Sequence, residues 1–491
     1  MGSKRIKRQK ANIIILSLVL LVLLCIYGAL AAESGREARK TAASLTLFDV
    51  KSSDLTSVEI KNGDDETKLK KENGKWSLAD SDAPLDNDKV TKLLKQLAPL
   101  KAQTLVNSKT DSSSLDDYGL NSPEISISIS SGDKSVNVSL GNYDKKSGVY
   151  VMDEKDRNKV FLFSKEFYTA ADIRSNDLIQ VEAFPKMYME NGLSIVVKKD
   201  GKEVVHAERD TSEESEYSRY RGWHMVVPYE GYAGSWHNIR AYFAKFNYMK
   251  FSKCWDYSPS EDDLKKYGLD VPEYEADLKY TDDDGKEYHI DLLVGKEASK
   301  GNYYAKNADS DPVWILPDTF IKSFMDIEPS ISAADIFLTT DLSKDQKFIL
   351  RDGNESIEYT FDRTEKDNAV IPTPNPNVVV IETPDPGQYE YDFNVSCDGK
   401  DIDGKKFIDT YQKIKDIKAV GEIDDSKIEG PDETIYSMSV TDDNGSTHTA
   451  DFLNYDGVNF YRVRVDGKMF FLANKPDVDS LARELEGFIG S

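Results

Sequence analysis

Residues 115–130 read LDDYGLNSPEISISIS, and residues 264–280 read LKKYGLDVPEYEADLKY. The spelling Leu-x-x-Tyr-Gly-Leu-x-x-Pro occurs in both, each time just before a run that alternates apolar and polar residues. Such alternation is the period of a half-buried strand. Gly119 and Gly268 can take a backbone conformation that is costly for other residues. Pro123 and Pro272 pin the chain in an extended form ahead of the strand. A degenerate third version, IDDSKIEGP at 423–431, keeps Ile423, Ile428 and Pro431 but has Ser426-Lys427 in place of Tyr-Gly. A ligand motif would not survive that loss. A corner that needs only apolar packing and a proline does, so the nonapeptide reads as the corner of a repeated domain.

The surroundings of the corner repeat as well. Ahead of the first lies LTSVEIKNGDDETKLKKENGKWSL, residues 55–78, whose alternation around Asn-Gly turns predicts hairpins ending in Trp76. Asp86, Asn87 and Asp88 offer N-caps for a helix with Val90, Leu93, Leu94 and Leu97 on one face. In the second pass LSIVVKKDGKEVVHAE is the hairpin, Trp223 takes the place of Trp76, and Ile239, Tyr242, Phe243 and Phe246 repeat the stripe. A third begins near Ile336, with the hairpin KFILRDGNESIEYTF, Tyr391 standing in for the Trp, and Phe407, Thr410, Tyr411 and Ile414 on the helix. The expected fold is therefore α+β: three tandem repeats of an antiparallel-sheet domain with about two helices each, at residues 46–172, 178–325 and 336–489.

The N-terminus differs from the rest in charge. Residues 1–10 contain Lys4, Arg5, Lys7, Arg8 and Lys10, and Ile13–Leu30 carry no charge. As a helix, residues 11–32 would span roughly 33 Å, enough to cross a bilayer. The basic flank would hold the N-terminus in the cytoplasm and send the body outside. Ala29-Leu30-Ala31 also fits the small-x-small cleavage site of a signal peptide. The apolar run exceeds the ~7–15 residues of a signal core, which favours a retained anchor followed by a linker at 33–45. The expectation is a single-pass membrane protein with an extracytoplasmic body and the membrane as a partner. The formal net charge of the 491 residues is -24, an acidity that excludes nucleic acid as a partner.

The hairpin ending in Gly-Lys-Trp, the helix, the YGLxxP corner and the following GVYVMD and KVFLFS segments resemble the bacterial domain-of-unknown-function 4340 family. The resemblance covers nearly everything after residue 45 and is strongest in the first repeat. It implies a membrane-anchored, exported protein whose gene neighbours ABC transporters of the gliding-motility type, and so an accessory role beside ABC transporter subunits. It carries over no catalytic or binding residues.

Chemistry is hard to find in the residues themselves. His206, His224, His237, His289 and His448 form no His-x-x-x-His or His-Glu-x-x-His pair, and Gly-x-Ser-x-Gly and phosphate-loop patterns are absent. No cofactor or metal is expected, and the protein reads as non-enzymatic. TDDDGKEYHID has Tyr280 where a calcium loop needs a carboxylate, so its Asp-Gly reads as a hairpin turn. The unusual stretch is 223–257, where Tyr229, Tyr232, Trp236 and His237 crowd a loop whose counterpart in the first repeat is DSDAPLDND. These four are the candidate partner-binding residues, with packing against a neighbouring repeat as the alternative. The tips ERDTSEESEYSRYRG and the Pro-rich 371–387 are further candidates for recognition. The functional expectation is a membrane-anchored extracytoplasmic accessory or binding subunit of a membrane complex. The alternatives are a cell-envelope glycan hydrolase using paired carboxylates, or a structural surface spacer.

Overall fold

The computed structural model describes residues 44–111, 113–184, 187, 189–212, 215, 217–366 and 390–489. The chain divides into two compact units. One runs to Glu182 and includes Ser252–Tyr257; the other comprises Ala183–Phe251 and the chain from Ser258 onward.

The first unit is built on an antiparallel sheet of β1 (Ser57–Asn62), β2 (Asp65–Glu72), β3 (Lys75–Leu78), β4 (Thr104–Asn107), β5 (Ile125–Ser131), β6 (Lys134–Asp144), β7 (Gly148–Asp153) and β8 (Asp156–Phe163), ordered β3-β2-β1-β5-β6-β7-β8-β4. Alternation decides which side each residue faces. Val58, Ile60, Ile125, Ile127, Ile129, Val136 and Val138 are buried, while the intervening Ser and charged residues reach solvent to varying degrees. Helix α1 (Asn87–Leu97) starts at Asp86, whose carboxylate accepts from the amides of Asp88 and Lys89. Its buried residues are Val90, Leu93, Leu94 and Leu97. At about 1.5–3 kcal/mol per buried aliphatic side chain, that stripe outweighs the helix's modest intrinsic propensity. Helix α2 (Lys165–Ala171), capped by Ser164, follows the last strand.

The second unit holds two such sheets. One contains β9 (Gly192–Lys199), β10 (Lys202–Arg209), β11 (Trp223–Val227), β12 (Tyr274–Thr281), β13 (Glu287–Ser299), β14 (Asn302–Asn307) and β15 (Val313–Pro317), ordered β11-β10-β9-β12-β13-β14-β15. The other contains β16 (Asp345–Asp352), β17 (Glu355–Glu365), β18 (Tyr391–Cys397), β19 (Lys400–Ile402), β20 (Gly421–Glu422), β21 (Thr434–Asp442), β22 (Thr447–Asn454), β23 (Phe460–Val465) and β24 (Lys468–Asn474), ordered β19-β18-β17-β16-β21-β22-β23-β24-β20. In all three sheets the first hairpin strand pairs with the strand after the corner: β1 with β5, β9 with β12, β16 with β21. Helices α3 (Trp236–Phe246), α4 (Glu261–Tyr267), α5 (Asp318–Phe324), α6 (Gly404–Tyr411) and α7 (Lys475–Glu486) complete the unit.

The corner has a definite geometry. Gly119 and Gly268 lie at φ +68° and +71°, and the amides of Leu120 and Leu269 bond back to the carbonyls of Leu115 and Leu264 at 3.0 and 2.9 Å. This is a glycine-dependent Schellman turn. The turn carbonyls of Tyr118 and Tyr267 press onto Gly141 of β6 and Gly295 of β13, where a Cβ would lie 2.0 and 2.3 Å away. In the third corner Ile428 is at φ -72°, without the left-handed turn, and the strand position matching Gly141 and Gly295 is Asn454. Turn and strand glycines were lost together.

One expectation is corrected. No helix among the described residues is long and apolar enough to cross a membrane. The longest described, α7, has 12 residues and buries only Val478, Leu481, Ala482 and Leu485 along one stripe, against the ~20 apolar residues a span requires. The expected membrane segment, 11–32, and its flanks at 1–10 and 33–43 lie outside the described residues. What stands is a mixed α+β architecture of large antiparallel sheets, without the membrane helix and single-pass topology read from the sequence.

Candidate functional site

The aromatic loop after β11 doubles back along its own strand. The amides of Gly231, Gly234 and Met225 bond to the carbonyls of Met225, Trp223 and Tyr232 at 2.8–2.9 Å. Gly231, at φ +70°, lets the loop reverse, and a Cβ there would meet Lys468 Nζ at 2.8 Å.

That fold-back carries Tyr229 and Tyr232 onto the third sheet. Tyr229 is 5% exposed, lies 4.8 Å from the Phe471 ring, and its hydroxyl donates to Glu422 Oε1 at 2.6 Å. Tyr232 is 3% exposed and packs 5.2 Å from Phe471 and 5.9 Å, edge-on, from Phe470. The other two candidates stay on the second sheet's own side. Trp236 opens α3 half-buried, with the Arg221 and Arg240 guanidinium groups 3.8 and 5.2 Å from its ring centre. His237, next along, is exposed. The structure therefore brings Tyr229 and Tyr232 together in an inter-sheet core and leaves Trp236 and His237 apart from them. The Pro-rich tip at 371–387 lies outside the described residues.

Beside the buried tyrosines is a cavity of about 940 Å³, bounded by the second tip and aromatic loop on one side and by turns of the third sheet on the other. From the second tip come Tyr217, Arg219 and Tyr220; from the third sheet come Asp341, Lys344, Asp442, residues 444 and 446–448, Asp466 and Lys468. Arg219 anchors the wall: its guanidinium meets Asp345 Oδ1 at 2.6 Å and donates to the Thr339 carbonyl at 3.3 Å. Asp345 is fully buried, and its other oxygen accepts from the Tyr411 hydroxyl at 2.8 Å and the Asp341 amide at 2.7 Å. Burial pushes the Asp345 carboxyl up, opposed by Arg219 and these donors. Four charge-assisted or polar bonds on one carboxylate argue for an intact ion pair holding the wall in one geometry.

The charges inside are arranged differently. Each cavity carboxylate already caps a turn: Asp442 takes the amides of Asn444 and Ser446 at 3.0 and 2.9 Å, Asp341 takes that of Ser343 at 3.1 Å, and Asp466 takes that of Thr449 at 2.7 Å with His448 Nδ1 at 2.9 Å. Lys344 and Lys468 are exposed at the rim, with no ion pair among the described residues. The Tyr232 hydroxyl lines the cavity and has no hydrogen-bond partner among the described residues. Burial, more than its neighbours Tyr220, Asp335 and Asp466, holds that phenol well above its usual range, so it stays neutral and able to donate. A buried hydroxyl without a partner costs about 1–3 kcal/mol. A chain keeps that cost where something outside it supplies the partner.

Reactive groups are few. No cluster of three metal-ligating side chains occurs among the described residues. Cys254 and Cys397 are free and buried, and burial pushes the Cys254 thiol up to about 12, far from a thiolate at neutral pH. TDDDGKEYHID is a hairpin turn in which Asp282 Oδ1 accepts the amides of Asp284 and Lys286. Tyr217, Arg219 and Tyr220 fall in the longer second tip, so comparing tip lengths between repeats could have pointed to them. Lys344, Asp442 and Lys468 look like ordinary turn residues in sequence and gave no such signal.

Fold and site together define a tandem-sheet α+β protein with a polar cavity between two of its sheets. The chain belongs to the family described as domain of unknown function (DUF4340), whose sequence model matches residues 76–223 and 223–433. No curated protein matches the chain, and no solved structure does. Both matched stretches begin on the tryptophan that closes a first hairpin, Trp76 and Trp223. The expected role as a membrane-anchored subunit beside an ABC transporter is corrected here. The described residues contain no membrane-crossing helix, and the family match connects the chain to no transporter.

Proposed function

We propose that this protein is a non-enzymatic binding protein whose ligand occupies the cavity between the second and third sheets. The observation that carries the reading is the Tyr232 hydroxyl, buried and unpartnered among the described residues on the wall of a cavity of about 940 Å³. Cavities of ~300–1,000 Å³ with a few convergent polar groups are the usual form of a small-molecule site. The absence of turnover is argued from the acids, which are engaged in capping turn amides rather than poised as a free acid and base.

The test uses Ser446→Trp, an exposed turn position on the rim where a large ring blocks the mouth without touching a core. Purified wild-type and variant proteins are incubated with a protein-free small-molecule extract of cells and examined by native mass spectrometry. The wild type should retain a low-mass adduct that the variant lacks, and the released molecule should be chemically unchanged. Equal adducts on both proteins would remove the cavity as the site. A time-dependent change in the released molecule would replace binding by catalysis.

A further inference from the structure

The ligand class follows from how the cavity's polar groups are mixed, and this step rests on the binding reading just given. Three fixed cations, Arg219, Lys344 and Lys468, face three carboxylates, Asp341, Asp442 and Asp466. Equal numbers leave no net field to recruit a small ion. The chain as a whole carries -24, which disfavours an anion further. An apolar ligand would leave the Tyr232 hydroxyl as unsatisfied as it is now. What matches interleaved donors and acceptors is a molecule whose groups each donate and accept, which is the property of a hydroxyl. Tyr217 and Tyr220, both half-buried, add ring surface to a wall otherwise polar.

We infer that the cavity binds an uncharged oligosaccharide, with the Tyr232 hydroxyl donating to one sugar oxygen and the carboxylates of the third-sheet turns accepting from others. The volume, about 940 Å³, lies at the upper end of ordinary ligand sites and suits several rings rather than one. The acids keep lone pairs free for this after capping their turns, since a carboxylate offers about four acceptor positions. Lys468 reaches the site across Gly231, where any side chain would block it.

The experiment titrates the full chain calorimetrically with neutral trisaccharides of gluco, galacto, manno and N-acetylglucosamine configuration. Trigalacturonate is the anionic probe and triglycine the zwitterionic one. At least one neutral trisaccharide should bind. Tyr232→Phe should weaken that binding about tenfold, the size of one hydrogen bond, without lowering the melting temperature, and Ser446→Trp should abolish it. Binding of a neutral sugar that survives both substitutions lies elsewhere and overturns the inference. If only triglycine or trigalacturonate binds, and Ser446→Trp abolishes it, the saccharide class falls while the cavity stands as a site. If no probe binds, the inference falls, and the extract experiment decides the cavity by itself.

Discussion

Tyr229 and Tyr232, one helical turn apart in sequence, pack on the same Phe471 ring and use their hydroxyls in opposite ways. Tyr229 donates to Glu422, whereas Tyr232 has no partner among the described residues. Removing each hydroxyl should therefore shift stability in opposite directions. Tyr229→Phe is expected to cost about 1–2 kcal/mol, because a hydrogen bond to a charged group is lost and the carboxylate keeps fewer donors. Tyr232→Phe is expected to be neutral or to stabilise by up to about 1 kcal/mol, because a desolvated hydroxyl is removed with nothing left behind. Urea unfolding of the two variants checks both; equal destabilisation would mean Tyr232 has a partner after all. Arg219→Ala is the severe case. It would leave Asp345 buried and short of its ion pair, at a cost of about 3–5 kcal/mol. Replacing the pair together, as Arg219→Met with Asp345→Asn, should recover part of that loss.

At the scale of elements, the corner and its strand act as one device. Gly141→Ala or Gly295→Ala would drive a Cβ into the Tyr118 or Tyr267 carbonyl and should destabilise by about 1–3 kcal/mol. Asn454→Ala, at the matching place in the third sheet, should change little, since no left-handed turn presses on it. Comparable losses at all three would show that the third corner keeps the same geometry. The turn before β23 adds a pH dependence. Burial pushes the Asp456 carboxyl up, but the amides of Asn459, Phe460 and Val458 outweigh it and hold the group at about 2. A carboxylate depressed in the folded state lends stability above its unfolded pKa, near 4. That stability is lost as pH falls toward about 2. Acid unfolding of Asp456→Asn should thus be flatter than wild type over that window, and a parallel curve would refute the assignment. The corner was legible in the sequence because Tyr-Gly and Pro stand in a fixed spacing. Gly141 and Gly295 were not, because their role depends on a carbonyl from another segment passing over them, which no local spacing records.

Across the molecule, the strand runs could be read from alternation alone, since a period of two depends only on neighbours along the chain. The pairing of the second and third sheets within one unit could not. It rests on Arg219 reaching Asp345 and on Tyr229 reaching Glu422, contacts between residues over a hundred positions apart. The same distance hid the cavity, half of whose wall comes from plain turns. Those contacts predict shared cooperativity: Arg219→Ala should speed hydrogen exchange in β16 and β21 as well as in β9–β11. Exchange confined to the second sheet would show that the two sheets open separately. The family match carries a different consequence. Its stretches begin and end at hairpin-closing tryptophans, so the segment inherited as a unit is offset from the segment that closes a sheet. A protein cut at 76–223 would lack β1 and β2 and strip β5 of a partner, baring the backbone beside Ile125, Ile127 and Ile129. Such a fragment should pair with its own copies into insoluble ribbons rather than fold.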